Sequence, residues 1–245
     1  MRLGRFRHNA NVIRVGPCGW AYKDWDGIVY PAKKPKGFDR LAFLAQYFDA
    51  VEIDTSFYGP PQASWTKKWR ECVKGNPRFR FTAKLYKTFT HSRDASAEDE
   101  TNFKNGMTPL MDEGQLGALL LQFPWSFKNT AENRSYVVGL HRRFREFPLV
   151  LEVRHDTWAI PETLDLLAEL EMALCNIDQP LFERSIKPGS EATSSWGYVR
   201  LHGRTRGRQC AGSLKTFKRW RLSERKWRQR NSNDQSKRAR MPEFR

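Results

Sequence analysis

The sequence predicts an α/β barrel of the (β/α)8 type that lacks its closing eighth strand, and three observations predict it. Seven short strand-like segments recur along the chain, helix-like segments separate them, and polar side chains gather where the strands end. The segments are VIRVGPCGW (12–20), AVEIDTSFY (50–58), RFRFTAKL (78–85), LGALLLQFP (116–124), LVLEVRHDTW (149–158), MALCNID (172–178) and WGYVRLHGR (196–204). Alternating strands and helices imply a parallel sheet with right-handed crossovers. Polar groups at the C-terminal ends of parallel strands are how such barrels build their sites. Successive segments begin 23–38 residues apart, the repeat length of a (β/α)8 unit. An open doubly wound sheet is the alternative; no G-x-G-x-x-G follows any strand, which weakens its dinucleotide-binding version.

The elements can be justified in order. VIRVGPCGW contains a turn, Gly16 to Gly19, whose N–H groups could cradle an anion, and Cys18 there has no base beside it in the sequence. GFDRLAFLAQYF (37–48) sets Phe38, Leu41, Leu44, Ala45 and Phe48 on one helical face. In a strand, residues i and i+2 share a face. Glu52 and Asp54 therefore share one, as do Thr82 and Lys84, Glu152 and Arg154, Asn176 and Asp178, and Arg200 and His202. If those faces point inward, their ends converge at the barrel mouth, joined by Gln122 from the fourth strand. Near-continuous apolar LGALLL fits burial on both faces. Residues 62–74 and 131–144 read as helices, the latter with a cationic last turn of His141, Arg142 and Arg143. PETLDLLAEL (161–170) opens with Pro161 at a first helical position. The polar stretches 88–106 and 183–195 read as loops, the first over the barrel mouth.

With 245 residues, 39% of them hydrophobic, the chain can bury the core of one large domain. Nine Trp is a high count; those near strand ends either line a cleft or pack under loops. Four widely spaced cysteines with no C-x-x-C pair argue against a zinc site and a secreted disulfide framework. No apolar run is long enough to span a membrane, and the start MRLGRFRHNAN has no apolar stretch after it to make a signal peptide. The expected compartment is the cytoplasm.

The net charge of +16 is unevenly spread. Residues 204–245 hold 15 Lys/Arg against 3 Asp/Glu, while the preceding 203 residues hold 28 against 24. The expected organisation is therefore a basic leader at 1–11, a barrel domain at 12–203 and a basic tail at 204–245. The tail has no strand-like apolar run and no sustained amphipathic face.

Glu52, Asp54, Glu152 and Asp178 supply four negative charges to the strand ends, and Lys84, Arg154 and Arg200 three positive ones. Three readings are open. Carboxylates and His202 could bind a divalent metal while the basic groups hold an anionic substrate. Glu152 or Glu52 could act as general base while Arg154 and Arg200 clamp a phosphate or carboxylate. The charges could instead neutralise one another as a buried network. His202, beside Arg200 on a strand end, is the strongest histidine candidate. His91 either swings over a substrate or is solvated in its loop, and His155, on the opposite parity to Arg154, anchors a loop.

Six linked motifs, GPCGWAYKDWDGIVYP, VEIDTSFYGPP, FTAK followed by FTH, LLLQFPWSF, VLEVRHDTW and YVRLHGR, resemble the YecE-like family, domain-of-unknown-function family 72, in order from about residue 12 to residue 204. The resemblance implies a TIM barrel and supplies no activity. Its recurrent pocket positions would fall on Trp20, Tyr22, Trp25, Glu52, Phe57, Tyr58 and Lys84. They would continue with His91, Gln122, Pro124, Glu152, Arg154, Arg200 and His202. Two departures stand out. Members commonly show Thr-Ser where this chain has Pro17 and Cys18, and they continue past the seventh strand to a closing strand bearing Phe-Asn-Asn, which is absent here. Residues from about 204 onward are therefore expected to be a truncated, frame-shifted or otherwise aberrant end, the alternative being a disordered basic tail that binds nucleic acid.

The functional expectation is a small polar or anionic ligand at the barrel mouth. As an enzyme, the protein would be a hydrolase, lyase or isomerase using acid–base or metal-assisted chemistry on a sugar or phosphate compound. Glu52, Glu152 and His202 would be catalytic, and Trp20, Tyr22, Tyr58, Lys84, His91, Gln122, Arg154 and Arg200 would bind the ligand. The alternative is a non-catalytic nucleic-acid-binding protein that uses its tail.

Overall fold

The computed structural model describes residues 12–202; the expected leader 1–11 and tail 204–245 lie outside them. The strands are β1 (Ala50–Ile53), β2 (Arg80–Lys84), β3 (Leu116–Gln122), β4 (Leu149–Glu152), β5 (Ala173–Asp178) and β6 (Tyr198–Leu201). They are parallel and take the order β1-β2-β3-β4-β5-β6. A doubly wound sheet reverses its order at a switch point. This sheet never does, so the fold is of the TIM-barrel type. Among the described residues the order does not close on itself. No helix among them is long and apolar enough to cross a membrane.

The described residues form two compact units, one of 12–83 with 101–117, the other of 84–100 with 118–202. In the first unit, α1 (Arg40–Leu44) starts where the Asp39 carboxylate accepts from Ala42 N at 2.9 Å. It is shorter than the segment 37–48, yet Leu41, Leu44 and Ala45 are buried as its periodicity predicts. The first strand-like segment is not a regular strand, but it runs beside β1. Asp49 N donates to Val15 O, Glu52 N to Pro17 O and Gly19 N to Glu52 O, at 2.8–3.2 Å. Pro17 has no N–H to extend the ladder. Gly16 makes the approach feasible, since a Cβ there would lie 1.7 Å from Ala50 O. After α2 (Ala63–Val73), β2 pairs with β1 in the register Glu52↔Thr82.

In the second unit the register Gln122↔Glu152 between β3 and β4, and Cys175↔Tyr198 between β5 and β6, aligns the strand ends. Ala118, Leu120, Val150, Ala173, Cys175 and Ile177 form one buried cluster, with Trp196 and Tyr198 against it. Each fully buried Leu or Ile contributes about 1.5–3 kcal/mol. α4 (Ala131–Arg143) has a Thr130 cap and the cationic last turn expected of it, and α5 (Pro161–Glu169) opens on Pro161. The stretch 183–195 is a loop, as expected.

Two expectations are corrected. Residues 88–106 are not a loop: Thr88–Ser92 forms a π-helical turn and α3 runs over Ala97–Met111. The helix is started by a capping box, with Asp99 N donating to Ser96 Oγ and Ser96 N to Asp99 Oδ2, and by acidic residues in its first turn. The second correction is the parity of β5. Cys175 and Ile177, not Asn176 and Asp178, share the clustered face with Leu120 and Val150. Asn176 instead exchanges two hydrogen bonds with the Glu191 backbone, at 2.8 and 2.9 Å.

Candidate functional site

In the second unit, β4 ends with Glu152 on the face that carries Val150, so its carboxylate is wholly buried. Arg154, two residues on, folds back and donates from Nε (3.1 Å) and Nη2 (2.8 Å) to Oε1. Arg200, on the same face of β6 as Tyr198, donates from Nη1 to Oε2 at 2.7 Å and to Gln122 Oε1 at 3.0 Å. Cys175 Sγ lies 3.9 Å from Oε2. Burial by itself would raise the Glu152 carboxyl, but Arg200 and then Arg154 outweigh it and hold the group below its usual range. Glu152, Arg154, Arg200 and Gln122 therefore converge as the sequence predicts. The network leaves one net positive charge among its three ionised members.

Arg154 is the accessible member, with 29% of its side chain exposed. Both its bonds to Glu152 use Nε and Nη2, so its Nη1 has no partner among the described residues. His91 sits on the π-helical turn, its Nδ1 2.9 Å from Thr90 Oγ1. Burial first, and then the Arg154 charge, lower the His91 pKa from its ordinary value, so the ring is neutral at pH 7. Lys84 ends β2 half-buried, and His202 is exposed, its backbone N donating to Asp178 O at 2.8 Å. Asp178 is buried on the other face of β5.

The first unit holds a different group. Glu52 is buried, and Cys18 Sγ donates to its Oε1 at 3.1 Å. Donor atoms of Cys18, Glu52 and Asp54 all lie within 4.8 Å of one another, a set that could hold a divalent ion. The sequence leaves Cys18 without a base beside it; the base comes from the neighbouring strand. The Gly19 amide, read as an anion donor, is spent on Glu52 O. Trp20 meets the Trp69 ring edge-on at 5.3 Å and accepts from Tyr30 through its carbonyl. Tyr22 donates to Cys18 O at 2.7 Å and packs on Trp25. Tyr58 is exposed and stands edge-on to Phe57. Both readings of the tryptophans occur: Trp158 is buried under a loop, donating to Phe127 O, whereas Trp125 and Trp65 are exposed.

The sequence missed Cys175 beside Glu152, the Thr90–His91 contact and the Trp125 ring lying 4.9 Å from that of His155. Adjacent T-H in the third motif is the one signal that could have found the second.

A family model described as a protein of unknown function, DUF72, matches residues 14–239. The UPF0759 protein YunF of Bacillus subtilis is 31% identical over 208 residues, 80% of this chain and 71% of that protein. The UPF0759 protein YecE of Escherichia coli K12 is 28% identical over 118 residues, 47% of this chain and 39% of that protein. Among solved structures, a DUF72 family protein from Thermotoga maritima superposes with a TM-score of 0.69 at 27% identity, covering 83% of this chain and 84% of that one. One from Enterococcus faecalis gives 0.64 at 27% identity, covering 72% and 68%. The family model spans the strand ends that carry Glu52, Glu152, Arg154 and Arg200, and the chain belongs to the DUF72 family.

Proposed function

We propose that the protein binds a small polar anion, a phosphate or carboxylate group on a compound such as a sugar, at the ends of β3, β4 and β6. The observation that carries this reading is the Glu152 carboxylate shared by Arg154 and Arg200, with 29% of the Arg154 side chain exposed. A guanidinium already fixed by a buried carboxylate meets an anion with little loss of side-chain freedom. Glu152 serves as the anchor of the two arginines, because an ionised carboxylate with two cationic partners is a weak base. His91 is the alternative proton acceptor, its basicity reduced by burial and by Arg154, and Lys84 adds positive charge to the same unit.

Calorimetric titration of inorganic phosphate tests this. Wild type should bind, Arg154→Ala should weaken binding at least tenfold with an unchanged circular dichroism spectrum, and Arg154→Lys should recover part of the loss. Binding unaffected by Arg154→Ala overturns the reading.

A second reading, nucleic-acid binding through residues 204–245, is favoured by their 15 Lys/Arg against 3 Asp/Glu. Its affinity for DNA should fall steeply with salt, and the salt dependence should vanish when those residues are deleted.

A further inference from the structure

The anion reading concerns one end of a ligand; the exposed apolar side chains on the loops after β3 and β5 bear on the other. Three large apolar side chains of the second unit are exposed on the loops after its strands: Trp125 after β3 (45%), and Leu181 (57%) and Phe182 (74%) after β5. Isolated exposed apolar residues are ordinary on protein surfaces. These three are tied to one frame. The Trp125 ring lies 4.9 Å from the His155 ring, and His155 pairs antiparallel with Ser185. Ile186 N donates to the carbonyl of Arg154 itself at 2.9 Å, and Asp156 N to Arg184 O at 2.8 Å.

The segment carrying Leu181 and Phe182 is held in a formed turn. Ser185 N donates to Phe182 O at 3.1 Å, and Phe182 N donates to Ser185 Oγ at 3.3 Å. Arg184 takes a left-handed conformation, φ 62°, and its Nε bonds both Asp156 oxygens at 3.2 and 3.0 Å. A left-handed arginine is disfavoured, so these bonds must hold it there. The result is a strap that leaves the end of β5, turns at Phe182 and is pinned to the backbone of Arg154–Asp156.

We infer that the ligand is an amphiphilic anion: a phosphate or carboxylate joined to an aromatic or extended apolar group, with the charge on Arg154 and the apolar part covered by Phe182, Leu181 and Trp125. This rests on the anion reading above and narrows its ligand class. A bare sugar phosphate would leave the three side chains in water, whereas a flat apolar group would remove them from it. Covering one such side chain is enough for about a tenfold gain in affinity.

The test compares phenyl phosphate with methyl phosphate, which share a head group, by calorimetry on the full chain. Wild type should bind the phenyl ester about tenfold more tightly or better. Phe182→Ser, an exposed position, should cut that preference below about twofold and leave methyl phosphate binding unchanged. Equal affinities in wild type, or a preference that survives both Phe182→Ser and Leu181→Ser, overturn the inference and leave the anion reading standing. Failure of both esters to bind overturns the two together.

Discussion

Glu152 and Arg200 meet across 48 residues of sequence at 2.7 Å, a buried carboxylate on β4 against a buried guanidinium on β6. Burying a charge without a partner is costly, and this contact, with Arg154 as the second partner of the carboxylate, offsets that cost.

The first prediction follows from that pairing. Glu152→Leu, which takes the carboxylate from both Arg154 and Arg200, should cost roughly 3–5 kcal/mol, and Arg200→Met, which leaves Glu152 paired with Arg154, should cost less. The double variant should recover about 1–3 kcal/mol of the summed loss. Urea denaturation of the four proteins measures it; additive losses would mean the pair does not interact.

The second concerns acid. The Glu152 carboxyl is held below its usual value by Arg200 and Arg154 despite its burial, whereas in the unfolded chain it titrates near about 4.3. Its contribution to stability is therefore complete above about pH 4.3 and is lost as pH falls through the lower, folded value. Denaturant midpoints measured downward from pH 6 should show a fall that Glu152→Gln flattens. Parallel profiles for the two proteins would contradict the shift.

The third concerns His91, whose pKa is lowered by burial and then by Arg154. Arg154→Ala removes the charge and leaves the burial, so the value should move upward without reaching about 6.5, the free imidazole value. Because the folded ring resists protonation, stability falls as pH drops below about 6.5, and the variant should lose less of it. NMR titration of the His91 ring reads the shift directly; an unchanged midpoint would separate the two residues.

These groups differ in how visible they were in the sequence. Glu152, Arg154 and Arg200 were legible because β4 and β6 each set a charge two residues from another inward-facing position, and the period of a strand leaves little choice. MALCNID gave no such guide, since β5 is buried on both faces and only its register shows that Cys175 and Ile177 take the inner one. The Cys18–Glu52 contact was illegible for a related reason: it depends on pairing between segments 34 residues apart. The α3 helix was missed because its first turns are polar, although Ser96 and Asp99 write a capping box three residues apart.

That capping box gives the fourth prediction. Ser96→Ala removes the oxygen that accepts from Asp99 N at 3.0 Å and should cost about 1 kcal/mol. Ser96→Asp, which keeps an acceptor and adds a charge favoured at a helix start, should cost less. Thermal melts of both decide whether the cap or only the sequence position matters.

The last prediction tests the unusual first segment, which lies beside β1 without forming a regular strand. A methyl group at Gly16 would stand 1.7 Å from Ala50 O, backbone that cannot swing aside as a side chain can. Gly16→Ala must therefore push the segment off β1, breaking bonds such as Glu52 N to Pro17 O and moving Cys18 away from Glu52. Overpacking of this kind costs roughly 1–3 kcal/mol. Gly59→Ala, where nothing lies within 4 Å of the added carbon, is the matched control and should leave the melting temperature nearly unchanged. Hydrogen exchange at the Glu52 amide should accelerate in the Gly16 variant alone. Protection retained there would mean the segment can reach β1 by another path, and the close approach of Gly16 would not be what holds it.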